Sequence, residues 1–188
     1  MNSKLAVYNR CVRIFYAEAL EAFREIAEQY NIQNIFSYQE SGTKITYDRD
    51  KLLKQFCKRH HIQWKEFQRD GNIRAIRNRK DWDKKWYVTM HAPLIQNEYS
   101  NNALVNFETQ YQLPHGFIEK LENYSTAFQP AGEDNAIKYL ESFMAERGKN
   151  YSRHISKPLE SGKSCSRISP YISWGNLSVK QAYQALSE

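Results

Sequence analysis

The chain has 188 residues, a formal net charge of +6, and 26% charged against 41% hydrophobic residues, which suits one globular domain or one domain and part of another. No apolar run approaches the roughly 20 residues of a membrane span, and the opening MNSKLAVYNR lacks the apolar core of a secretory signal. Cys11, Cys57 and Cys165 are odd in number and far apart, which argues against a disulfide framework and for a reducing, cytoplasmic setting.

Taken in chain order, LAVY (5–8) and VRIFY (12–16) are β-branched and aromatic runs that predict strands. AEALEAFREIAEQY (17–30) predicts a helix with Leu20, Phe23, Ala27 and Tyr30 on one face, and with Glu18, Glu21, Glu25 and Glu28 mostly outside it. NIFSYQ (34–39) predicts a strand. The loop ESGTK leads to a helix near Tyr47–His60, with Leu52, Leu53 and Phe56 facing inward, and IQWKEF (62–67) predicts a further strand. Strand and helix in alternation are the signature of a parallel sheet with helical crossovers.

Between Arg49 and Tyr87, 13 Lys/Arg stand against 5 Asp/Glu, so the basic character of the chain belongs to one segment. Such an excess attracts polyanions through counterion release, or else forms a solvated helix face. Trp64, Phe67, Trp82 and Trp86 interleave it. Aromatics among cations suit base stacking, but Trp82 and Trp86, four apart, read first as anchors of a helix to its core. Residues 91–116, polar and broken by Pro93 and Pro114, predict an interdomain linker.

Beyond the linker the patterns are helical. GEDNAIKYLESFMAERGK (132–149) places Ile137, Leu140, Phe143 and Met144 on one stripe, with acidic residues in the first turn and Gly148 at the end as a C-cap. Ser178 and Gln181 stand at capping-box spacing. The run SGKS (161–164) has the end of a phosphate-binding loop, but Lys157 occupies the position where that loop needs its first glycine. His60 and His61 lack ligand spacing, no metal site is expected, and no carboxylate pair is forced together by spacing.

SCSRISPYISWGNLS (164–178) carries the most chemistry. Ser169 before Pro170 reads as a hydroxyl N-cap with proline in the first turn. Amides at that helix start, the Ser166 and Ser169 hydroxyls and the Arg167 guanidinium would together suit a phosphate or pyrophosphate. An ordinary capped helix satisfies the same pattern.

Four stretches resemble one family, the DNA photolyases and cryptochromes. YQESGTKITYDRD (38–50) is similar to the Q-E…Y-x-R-D segment of their N-terminal domain, and IQWKEFQRDGNIRAIRNRKDWDKKW (62–86) to the strand and basic helix after it. GEDNAIKYLESFMAERGKNYSRHISKP (132–158) resembles the first helix of the flavin domain, and SCSRISPYISWGNLSVKQ (164–181) the Thr-Ser-Arg-Leu-Ser-Pro-Tyr signature. The resemblance implies an incomplete Rossmann-like parallel α/β domain of antenna type (1–90), a linker (91–116) and the first helices of a helical domain that binds flavin adenine dinucleotide, FAD (117–188). It implies that Cys165, Ser166, Arg167, Ile168 and Ser169 line the FAD diphosphate and that Tyr151 approaches the flavin. Cys165 stands where the family has Thr, so one hydroxyl donor is lost. The antenna chromophore and the catalytic residues are unassigned.

The implied activity is light-driven repair of cyclobutane pyrimidine dimers by electron transfer from reduced flavin. The implied partner is DNA containing such dimers, met by a monomer through basic residues including Arg77, Arg79, Lys84 and Lys85. Family members are much longer, so the chain reads as an internal fragment, inactive alone. The alternatives are a cryptochrome-type light sensor without repair activity and a non-enzymatic nucleic-acid-binding module.

Overall fold

The structure, a computed structural model, describes residues 1–40, 42–74, 76–99 and 107–187. The chain divides into two units. One holds Asn2–Arg77 and Tyr99–Tyr124, the other Asn78–Glu98 and Ser125–Glu188. The expected linker, 91–116, contributes residues to both.

The first unit contains α1 (Asn2–Ala6), α2 (Ala19–Gln29), β1 (Asn34–Tyr38), α3 (Lys44–Arg59), β2 (Gln63–Phe67) and α5 (His115–Glu122). The helix α4 (Trp82–His91) falls between them in sequence and belongs to the second unit. β1 and β2 are parallel, with Asn34 opposite Gln63 and Tyr38 opposite Phe67, and α3 makes the crossover that parallel pairing requires. The fold is thus mixed α/β with a two-stranded parallel sheet. Ile35, Leu53, Phe56, Cys57 and Ile62 form the core, and Leu20, Phe23, Ala27, Ile32 and Trp64 pack against it. The Cys57 thiol is 3% exposed, and burial pushes its pKa up. Arg49 ties the end of β1 to α3. Its guanidinium donates to Asp50 (2.8 Å) and to Glu40 (2.7 Å), and these bonds hold it still more firmly protonated.

Several expectations are corrected in this unit. LAVY is not a strand, because Leu5 and Ala6 lie in α1, and VRIFY belongs to no helix or strand. The Asn2 side chain bonds both backbone groups of Val12 (3.1 and 2.7 Å). A side chain thus satisfies locally what a neighbouring strand otherwise would. Arg13 donates to the Phe107 carbonyl (2.6 Å) and Phe15 packs on the Phe107 ring. Leu52 is exposed, so α3 turns Leu53, Phe56 and Cys57 inward instead. Glu25, expected outside the apolar face of α2, is buried. It accepts from the Thr109 hydroxyl and from the Gln110 amide (2.9 Å), and pins the 107–111 segment to the helix.

The second unit is helical. After α4 come α6 (Glu133–Ala145), a 3₁₀ turn (Arg147–Asn150), α7 (Tyr151–His154), α8 (Pro158–Ser164), α9 (Ser169–Ser173) and α10 (Val179–Ser187). Ala136, Leu140, Ile168, Tyr171, Leu177 and Ala182 make its core. The expected stripe on α6 is rotated. Ile137 and Met144 are exposed, and the buried face runs through Ala136, Tyr139 and Leu140. The Ser178–Gln181 capping box forms in both directions (2.8 and 3.0 Å). Trp82 stacks on Trp86, whose ring meets Tyr183 of α10 edge-on at 5.1 Å. Trp86 therefore anchors α4 to α10 and Trp82 packs on Trp86 within α4, with Gln184 donating to the Met90 and Ala92 carbonyls beside them.

The burial pattern separates two leucines that sequence alone treats alike. Leu140→Ala should destabilise the chain by about 2–5 kcal/mol, the cost of a core cavity, and Leu52→Ala by about 0.5 kcal/mol or less. Urea unfolding of the two variants measures the difference, and equal losses would contradict the placement of α3.

Candidate functional site

The turn between α8 and α9, residues 165–168, is built by one side chain. Arg147 follows α6 in the 3₁₀ turn. Its Nε donates to the Ser142 hydroxyl (3.0 Å). One terminal nitrogen donates to the Lys163 (3.2 Å) and Cys165 carbonyls, and the other to the Tyr139 (2.7 Å) and Ser166 (3.2 Å) carbonyls. The guanidinium also lies over the Tyr139 ring at 5.6 Å. Gln129 Nε2 donates to the Arg167 carbonyl (2.8 Å).

These bonds decide where the amides go. In a trans peptide the N–H of one residue points away from the C=O of the residue before it, and no cis peptide bond occurs among the described residues. With the carbonyls of Cys165, Ser166 and Arg167 drawn onto Arg147 and Gln129, the amides of Ser166, Arg167 and Ile168 point the opposite way. Among the described residues none of these three amides, nor that of Ser169, donates a hydrogen bond. Arg167 is in the left-handed region (φ 59°), where an L-residue costs roughly 1–2 kcal/mol, and Ile168 follows near the right-handed helical region (φ −87°, ψ −9°). Successive amides across such an alternation form a concavity that suits an anion.

The residues named from sequence are placed as follows. The Cys165 backbone feeds Arg147, and its side chain is half-buried. The Ser166 side chain is half-buried and those of Arg167 and Ser169 are exposed. The Arg167 guanidinium lies 5.9 Å from the Tyr139 ring centre. The Ile168 side chain lies in the core, which leaves only its amide for a ligand. Tyr151 meets Phe143 edge-on at 6.0 Å, and no hydrogen bond or ring contact among the described residues joins it to the turn. Arg77 is exposed in the first unit, and Arg79, Lys84 and Lys85 are exposed in the second. Lys84 pairs with Asp81 at 2.7 Å.

Two capping expectations are corrected. Ser169 is not the N-cap of α9. Ile168 takes that position, its carbonyl accepting from the Ile172 amide (3.0 Å), and Ser169 is the first helical residue with no capping bond from its side chain. Gly148 does not cap α6, whose C-cap is Glu146. Its value is close approach. A Cβ there would stand 2.8 Å from the Phe143 carbonyl oxygen and 3.2 Å from the Phe143 ring. The SGKS run lies in α8, not in a loop after a strand, and among the described residues no group of three or more His, Cys, Asp or Glu is placed to hold a metal ion.

Arg147 and Gln129 are the site residues that sequence reading misses. A basic residue just past a helix end, beside a glycine, is a signal for carbonyl capping. Nothing in spacing says that the carbonyls include those of a turn 18 and 19 residues away. No protein-family model and no curated protein matches the chain.

Gly148→Ala should therefore cost about 1–3 kcal/mol by forcing the 3₁₀ turn off Phe143. Thermal unfolding checks it, and a melting point equal to that of the unmodified chain would contradict the close approach.

Proposed function

We propose that the Cys165–Ser169 turn is the diphosphate cradle of an FAD site, in a photolyase or cryptochrome whose activity is light-driven repair of cyclobutane pyrimidine dimers. The observation that carries this reading is the row of unengaged amides at Ser166, Arg167 and Ile168, directed away from Arg147 and Gln129. It falls within the stretch whose sequence resembles the family's diphosphate signature. A diphosphate needs several donors converging from one side, with positive charge nearby. The three amides, the Ser169 hydroxyl and the exposed Arg167 provide them. Cys165 adds no hydroxyl, so its contribution is limited to the backbone.

The finer fold reading, a Rossmann-like antenna-type domain joined to a helical flavin domain, draws support from the first unit. A parallel sheet is ordinarily covered on both faces, and here Phe36, Tyr38 and Phe67 are 62%, 67% and 52% exposed on the side opposite Ile35. When bound, reduced FAD would supply the photoexcited electron that opens the dimer ring. The protein's own part is to hold the diphosphate with fixed amides and to attract the damaged strand through exposed cations such as Arg79 and Lys85. A dimer must leave the stack to be acted on. A light sensor would use the same cradle.

In ¹⁵N–¹H spectra of the 188-residue chain, inorganic pyrophosphate should shift the Ser166, Arg167 and Ile168 amides most, while FAD binds too weakly to co-purify. Amides of the turn that ignore pyrophosphate would sink the cradle. Light-dependent loss of dimers from irradiated DNA, assayed with a flavin-loaded protein containing this chain, separates repair from sensing. DNA affinity should fall steeply as salt rises, and fall again when Arg77, Arg79, Lys84 and Lys85 become Ala. A salt-insensitive affinity measured by fluorescence anisotropy contradicts that reading.

A further inference from the structure

We propose that Arg147 is the positioning residue of the cradle, acting by its planar fork and not as a counter-charge to the ligand. The inference rests on the diphosphate reading of the turn. Arginine has five N–H donors in a fixed plane, and five acceptors surround this one: the Ser142 hydroxyl and the carbonyls of Tyr139, Lys163, Cys165 and Ser166. With all five donors engaged, none is left for a phosphate oxygen. Arg147 therefore acts through the backbone. It draws the Cys165 and Ser166 carbonyls to one side, and the trans peptide geometry sends the Ser166 and Arg167 amides to the other. Gln129 does the same for the Arg167 carbonyl, hence for the Ile168 amide. The Tyr139 carbonyl and the Ser142 hydroxyl, both on α6, fix the guanidinium plane.

This arrangement makes a sharp distinction between arginine and lysine. An ammonium keeps the charge, but its three donors radiate from a single point and cannot span carbonyls on both sides of the fork. If Arg147 served as a counter-charge, Arg147→Lys would preserve anion binding. If it serves by aiming peptides, Arg147→Lys would lose the binding while the chain stays folded.

The test is titration of inorganic pyrophosphate into the full chain and its variants, read in ¹⁵N–¹H spectra. In ligand-free Arg147→Lys, the resonances of Ser166 and Arg167 should move while the core residues Leu140 and Ala182 keep theirs. Pyrophosphate affinity should fall tenfold or more. Gln129→Ala, at a half-buried position outside the core, should move the Ile168 amide and weaken pyrophosphate by severalfold; it decides the matter if Arg147→Lys unfolds. Wild-type affinity in Arg147→Lys, or in Gln129→Ala should the first variant not fold, overturns the inference. Unmoved turn amides in folded, ligand-free Arg147→Lys overturn the positioning role alone. An unmodified chain that shows no pyrophosphate shifts overturns the diphosphate reading, and the inference with it.

Discussion

Every carbonyl of a folded chain needs a donor, and in the second unit one guanidinium answers four of them at once. Arg147 collects carbonyls from α6, from α8 and from the turn after α8. Cations are favourable at a helix C-terminal end, where unpaired carbonyls gather, and Arg147 sits just past the last turn of α6. The consequences run outward. The turn is pinned, Arg167 is held in a left-handed conformation, and Ile168 is delivered into the core beside Leu140 and Tyr171. What remains on the other side is a set of amides without partners, the state in which a backbone is most receptive to an anion.

The first unit uses a related device with the opposite charge. Glu25 is buried, and its carboxylate is satisfied by the Thr109 hydroxyl and the Gln110 amide. A buried carboxylate without donors would be costly; with them it fixes a segment that has no regular structure of its own. Gln29 adds a bond to the Glu108 carbonyl, and Tyr16 donates its amide to the Tyr111 carbonyl. In both units a polar side chain on or just after a helix organises irregular chain far away in sequence. Arg49 does the same over a shorter span, joining Glu40 after β1 to Asp50 in α3.

Much of the local structure is legible in the residue pattern. The strands at 34–38 and 63–67, the crossover helix between them and the capping box at Ser178 follow from period and cap chemistry, which act over a few residues. The misreadings share a cause. VRIFY has strand composition, but a strand needs a neighbour, and its neighbour here is irregular chain at 107–111. On α6 hydrophobicity favours a stripe through Ile137 and Met144, whereas the space available admits Ala136 and Tyr139. Ser169 has cap chemistry, yet the helix begins one residue earlier in its bonding because Ile168 is anchored in the core.

For the candidate site the division is sharper. The run Ser-Arg-Ile-Ser-Pro-Tyr already states that a turn rich in hydroxyls and amides precedes a helix, because serine and proline carry that preference in their own covalent structure. Which way those amides face is not a local property. It depends on which side of the turn holds the carbonyl partners, and those partners, Arg147 and Gln129, arrive from 18 to 38 residues away. Composition and spacing therefore suffice to identify the turn, whereas only the packing of α6 against α8 and the turn decides the direction in which its donors point.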